Sequence, residues 1–288
     1  MKSPKEINLE EKILDSLLPE KLNGETIPYE VAKILIDDPE IAEIQNYANH
    51  VSIVRLGYND HGPVHMRTVA RNCIKMMKIL HEAKIETSLE KEKIGTFTDS
   101  LTAVLLASFM HDLGMTVGRQ DHELYSVTIA LPIIDRILKQ VLKDDLQRRI
   151  VIRSVAMEGI VGHMGTHKIH SLEAGMILIG DGCDMTKGRA RIPIALFNGA
   201  KVGDIHKYSA NSIEKVKIFN GLESDRAQEL KSEDNSEIKP ICIEVEMSSE
   251  VGFFQIEEVL IQKINSSPVR PYISLYAGIT GQEFKKYL

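Results

Sequence analysis

Ala107-Ser108-Phe109-Met110-His111-Asp112-Leu113-Gly114-Met115 closes an apolar run, Leu101 to Met110, with two ionisable side chains in succession. The run reads as a buried helix, and Gly114 is a plausible stop for it. Neighbouring side chains in a regular helix point about 100° apart, so His111 and Asp112 can face one point only near a helix end. Burying both without partners is costly. The placement therefore suits a metal ion better than mid-helix packing.

Working outward, the same pattern recurs. Asn59-Asp60-His61-Gly62-Pro63-Val64-His65 opens a helix to about Ala83, in which His65, Val69, Cys73, Met76 and Leu80 share the apolar face. Downstream, His122 shares a face with Ser126, Ile129 and Ile133, and Pro132 is expected to kink or restart that helix. Asp144 or Asp145 caps the next one, whose stripe Ile152, Val155, Gly159 ends in His163. A loop-like stretch from Gly162 holds His167 and His170, and a further helix from Ser171 runs Leu172, Ala174, Ile177, Leu178 to Asp181, followed by Asp184. Helix after helix delivers a histidine or aspartate to its inward face.

The flanks carry less chemistry. Residues 1–50 predict short helices closed or opened by Pro19, Pro28 and Pro39, with packing on the core as their role. After Tyr208 the period changes: Ile241, Ile243, Val245 and Met247 alternate as a half-buried strand, as do Ile273, Leu275, Ala277 and Ile279. Phe253, Ile256, Leu260 and Ile264 have helical spacing, Val216 to Phe219 reads as another strand, and the polar residues 221–239 as a loop or short helix. The expected organisation is N-terminal helices over 1–50, a helical metal-binding domain over 51–212, and a small α+β domain of roughly β-β-α-β order over 213–288.

A net charge of −6 over 288 residues carries no global basic signature of a nucleic-acid binder, so an anionic substrate needs a local cation cluster or a metal. Cys73, Cys183 and Cys242 form no CxxC pair, which argues against a disulfide framework or a zinc–thiolate site and for a reducing compartment. Neither a signal-peptide core nor an apolar stretch of membrane-spanning length is present, and the expected location is the cytoplasm. P-loop, GxSxG and HExxH motifs are also absent.

The order His65, His111-Asp112, Asp181 resembles the HD superfamily of metal-dependent phosphohydrolases, over about residues 51–208. The run Gly180-Asp181-Gly182-Cys183-Asp184-Met185-Thr186-Lys187-Gly188-Arg189-Ala190-Arg191 is similar to the aspartate segment of uncharacterised archaeal and bacterial HD-domain proteins with a C-terminal α+β extension. The resemblance implies an α-helical HD domain plus a small C-terminal α+β domain. It also implies a divalent metal (Mn, Fe, Ni, Zn or Mg) on His65, His111, Asp112 and Asp181. In the dinuclear branch of that superfamily further histidines hold a second ion and the HD aspartate bridges. His122 and His163 stand where those are expected, as ligands of a second metal or of phosphate. Dinuclear members often carry a His-His pair at the later place, and here the second residue is Met164, so one ion is expected and two are possible, with His167 or His170 as substitutes.

The function this implies is a cytoplasmic metal-dependent phosphohydrolase acting on a phosphomonoester or phosphodiester of a nucleotide or other small metabolite. The ion would polarise a phosphoryl oxygen and lower the pKa of bound water toward about 7. Arg119, Lys187 and Arg189, with Arg191, are the cations expected to meet the charge on the phosphoryl group around Asp112, while Asp184, Asp60 and His61 orient ligands or move a proton. Two alternatives stand beside it: a di-iron oxygenase of the HD type, and a nucleotide-sensing module whose C-terminal domain reads the result. Residues 204–209 read as a linker. The expected partner is a small phosphorylated substrate, with no membrane or nucleic acid indicated, and a homodimer is the commonest assembly for such a chain.

Overall fold

The computed structural model describes residues 2–187, 205–234 and 238–288. Arg189, Arg191 and Asp204 lie outside them. The architecture is mostly helical, with a small C-terminal sheet of four strands.

Local capping chemistry starts most of the helices. Ser3 and Glu6 form a capping box for α1 (Pro4–Ser16). After α2 (Ile27–Asp37), Asp38 accepts from the amides of Glu40 and Ile41 to start α3 (Pro39–His50). Pro63 occupies the first turn of α4 (Pro63–Glu82). The connection from α4 to the next long helix contains a short helix, α5 (Ser88–Lys91), which buries Leu89. Thr96 and Asp99 box the start of α6 (Phe97–Met110), every residue of which is buried. Around it pack α2, α4, α8 (Leu146–Gly162, capped by Asp145) and α9 (Leu172–Gly182, capped by Ser171).

Between α6 and α8, α7 (His122–Val141) runs unbroken through Pro132, against the expected restart. Its buried face runs through Ser126 and Ala130 before the proline and Ile133, Ile134, Ile137 and Leu138 after it, and packing along that face outweighs one lost backbone hydrogen bond. Gly114 is likewise not the stop of α6, which ends at Met110; it lies in a 3₁₀ turn, Leu113–Thr116. A Cβ there would sit 2.0 Å from the carbonyl oxygen of His122, so glycine lets α7 start against this turn.

The N-terminal helices hold the centre of the molecule through polar contacts as well as apolar ones. Arg67, fully buried on α4, pairs with Glu10 (2.7 Å) and Glu6 (3.3 Å) of α1 and donates to Gln45 of α3 (2.8 Å). Gln45 in turn donates to the Phe109 carbonyl, two residues before His111 (2.8 Å).

The C-terminal part comprises α10 (Ile205–Asn211), β1 (Ile213–Asn220), α11 (Asp225–Asp234), β2 (Ile241–Met247), a helical segment, β3 (Ile273–Ile279) and β4 (Lys285–Lys286). The helical segment, α12, joins Phe253–Gln255, a π-helical turn Ile256–Leu260 and Ile261–Asn265. In sheet order β1-β2-β3-β4, only the central β2/β3 pair is parallel, joined by α12. β2 is buried on both faces rather than one. One face joins the main core through Ile243 and Val245; Ala227, Leu230 and Tyr276 close over Cys242 on the other. The charge of buried Glu244 is met by Lys217 and Arg226, each at 2.6 Å. The main core is continuous from α4 and α6 into this sheet, β1 lying against α4 and α12 against α9.

Cys73, Cys183 and Cys242 are free and buried, and burial pushes the thiols of Cys73 and Cys242 up to about 12, which removes them as neutral-pH nucleophiles. No helix among the described residues is long and apolar enough to cross a membrane.

Candidate metal centre

Helix ends converge on one buried point. His65 sits in the first turn of α4, His111 caps the end of α6 with Asp112 next, His122 begins α7, His163 caps the end of α8, and Asp181 lies in the last turn of α9. All of these side chains are buried.

The two oxygens of Asp112 face different groups. Oδ2 is 3.2 Å from His65 Nε2 and 3.3 Å from His111 Nε2, and Asp181 Oδ1 lies 3.2 Å from the same His65 nitrogen. Oδ1 is 3.1 Å from His122 Nε2 and 3.3 Å from His163 Nε2. The Nε2 atoms themselves pair closely, His65 with His111 at 3.1 Å and His122 with His163 at 3.0 Å.

The opposite edge of each ring fixes its protonation. His111, His122 and His163 each place Nδ1 on the carbonyl three residues earlier, of Ser108 (2.9 Å), Arg119 (2.9 Å) and Ile160 (2.7 Å). His65 Nδ1 meets Asp184 Oδ2 at 2.7 Å. Carbonyls and carboxylates only accept, so Nδ1 carries a proton and each ring turns its other nitrogen, Nε2, to the centre. Lone pairs and carboxylate oxygens at these separations cannot satisfy one another; Asp112 Oδ2 is buried with no hydrogen-bond partner. A cluster of imidazole nitrogens and carboxylate oxygens packed this closely fits divalent cations. His65, His111 and Asp181 would hold one ion, His122 and His163 a second, and Asp112 would bridge them; Met164 in place of a second histidine leaves that second set three-membered.

Electrostatics favour the ligating forms. Burial pushes the Asp112 carboxyl up, but positive charge on His111 and His61 and hydrogen bonding from His111 and His122 outweigh it and hold the group well below the usual carboxylate range, as a cation at this point would too. Burial also depresses His163 to about 4, so its ring is neutral at pH 7.

A cavity of ≈ 690 Å³ opens onto Asp112 and Asp181. Arg119 lines it, its Nη1 3.2 Å from His122 Nε2. Lys187 does not reach the cavity: half exposed at 52%, it pairs with Glu214 at the start of β1. His167 and His170 are exposed and stand apart from the cluster, whereas Asp60 caps the Gly62 amide (2.7 Å). His61 lines the cavity, anchored by Nδ1 on the Asn59 carbonyl (2.6 Å).

Two residues here carried no assignment from sequence. Glu123 is buried with Oε2 3.3 Å from His122 Nδ1, and its place directly after a helix-initial histidine was a usable signal. Lys263 comes from α12 and puts Nζ 2.5 Å from Asp181 Oδ2; one lysine among the charges of an amphipathic stretch gives no local hint of such a contact.

No family model and no solved structure matches the chain. The chain is 40% identical over 261 residues to the uncharacterized protein MJ1020 of Methanocaldococcus jannaschii, a similarity spanning 90% of this chain and 93% of that one. With nearly the full length of both proteins aligned, this chain belongs to the family of the M. jannaschii protein.

Proposed function

We propose that this protein is a metal-dependent phosphohydrolase of the HD type, acting on a phosphomonoester or phosphodiester of a nucleotide or other small metabolite. The observation that carries the reading is Asp112, whose two oxygens face separate groups of histidine nitrogens. A divalent ion held there supplies Lewis acidity toward a phosphoryl oxygen and makes a bound water acidic enough to act near neutral pH. The chain does the rest: Asp184 and the backbone carbonyls of Ser108, Arg119 and Ile160 keep the rings in the ligating tautomer, and Arg119 presents a guanidinium beside the histidines to a phosphoryl oxygen. The cavity takes a ligand of metabolite size.

The test is to strip the protein of metal, reload it separately with manganese, iron, nickel, zinc or magnesium, measure ions per chain, and assay a panel of phosphate esters. Phosphate release from a restricted set of esters, dependent on the ion, is expected. The bridging position of Asp112 also suits a di-iron oxygenase, which oxygen consumption by the iron-loaded protein without phosphate release would identify. Tight nucleotide binding with no turnover under any ion would make the protein a sensor instead.

A further inference from the structure

One wall of the cavity is built by the C-terminal part. Gln255, Glu258, Gln262 and Lys263 line it, a spacing that puts them on one side of α12. The π-helical turn Ile256–Leu260 lies within this stretch, a distortion that often marks functional sites. Buried Gln255 donates to Ser209 Oγ at 3.0 Å and pins the start of the segment. At the other end, Gly182 of α9 leaves room for Lys263: a Cβ there would lie 3.1 Å from its Cδ.

The Lys263 side chain is only 11% exposed, and its ammonium reaches both halves of the candidate centre. Nζ donates to Asp181 Oδ2 at 2.5 Å and to the carbonyl of His163 at 2.9 Å. An ammonium has three N–H groups, and the third has no acceptor among the described residues. A nearly buried lysine spending only two of its donors, beside a cavity with Arg119 also on its lining, is arranged to receive an anion.

We propose that Lys263 is a substrate-binding residue, donating its remaining N–H to a non-bridging oxygen of the phosphoryl group that Arg119 also contacts. The active site is then a composite of the helical part and the C-terminal part, with Lys263 in the role that sequence gave to Lys187. This inference rests on the phosphohydrolase reading and adds to it the group that grips the phosphate.

The experiment titrates inorganic phosphate into the full-length, manganese-loaded protein by calorimetry, for wild type, Lys263→Gln and Lys263→Arg, with manganese per chain measured for each. Glutamine removes the charge while leaving a polar, N–H-donating side chain one bond shorter; arginine keeps the charge. The expected result is equal manganese content, phosphate affinity weakened about tenfold or more in Lys263→Gln, and partial recovery in Lys263→Arg. Wild-type affinity in Lys263→Gln overturns the assignment of Lys263 alone. Manganese uptake with no phosphate binding by the wild type overturns the phosphohydrolase reading, and Lys263 with it. Should Lys263→Gln misfold, Lys263→Met serves as the neutral variant under the same criterion.

Discussion

Asp112 sets the behaviour expected of single-residue changes. Asp112→Ala removes the bridge between the two histidine groups, and should abolish both metal retention and turnover; full activity in this variant would sink the assignment. Asp184→Asn keeps the shape but replaces the acceptor that fixes His65 Nδ1, and metal affinity should fall by about 10–100-fold in a competition titration with a chelating dye. The metal-free protein should also be acid-sensitive. His163 titrates at about 4 when folded and near its ordinary 6.5 when unfolded, so between those values the unfolded chain binds a proton that the folded chain does not. Stability contributed by the neutral ring is therefore complete above about 6.5 and lost as pH falls toward 4. Urea midpoints of the metal-free protein across that interval measure it; a flat profile would mean that the ring is not held neutral.

At the scale of helices and strands, much was legible because burial imposes periodicity. The inward stripes that open at His65 and end at His163 and Asp181 are readable from their helical spacing, although Val155 is only half-buried, and the alternation of Ile241 to Met247 locates β2 without revealing that both of its faces are buried. What sequence misjudged depends on which element arrives from elsewhere. Gly114 looked like a helix stop, although its real constraint is the His122 carbonyl coming from α7. Lys187 looked catalytic from its nearness to Asp181, yet β1 supplies Glu214 to take its charge. Lys263 reaches Asp181 across 82 residues, a distance no local pattern spans. Gly114→Ala should accordingly displace the start of α7, lower stability by more than about 2 kcal/mol, and reduce bound metal at the His122 group before the His65 group. Thermal melts and ions per chain test both parts.

Over the whole molecule, the continuous core makes the two parts interdependent. Ile213, Val245, Leu260 and Ile264 belong to the same packed cluster as residues of α4 and α6. A chain ending at Ser212 would expose that surface, and should aggregate or lose its cooperative melt, as size-exclusion chromatography and circular dichroism would reveal. Metal should stabilise the intact protein by mass action: at a free concentration about 100 times the dissociation constant the gain is about 2.7 kcal/mol, or several degrees in melting temperature, reversed by a chelator. The tethering of His111 and His163 to carbonyls at the ends of α6 and α8, and of His122 to the Arg119 carbonyl just ahead of α7, carries this coupling into kinetics. A ring can swing away only when the turn that holds it frays, so ion escape is gated by local opening of the backbone. Ion off-rates and amide hydrogen exchange at the ends of α6 and α8 should then share one temperature dependence, making the centre a reporter of fraying at the junctions between helices.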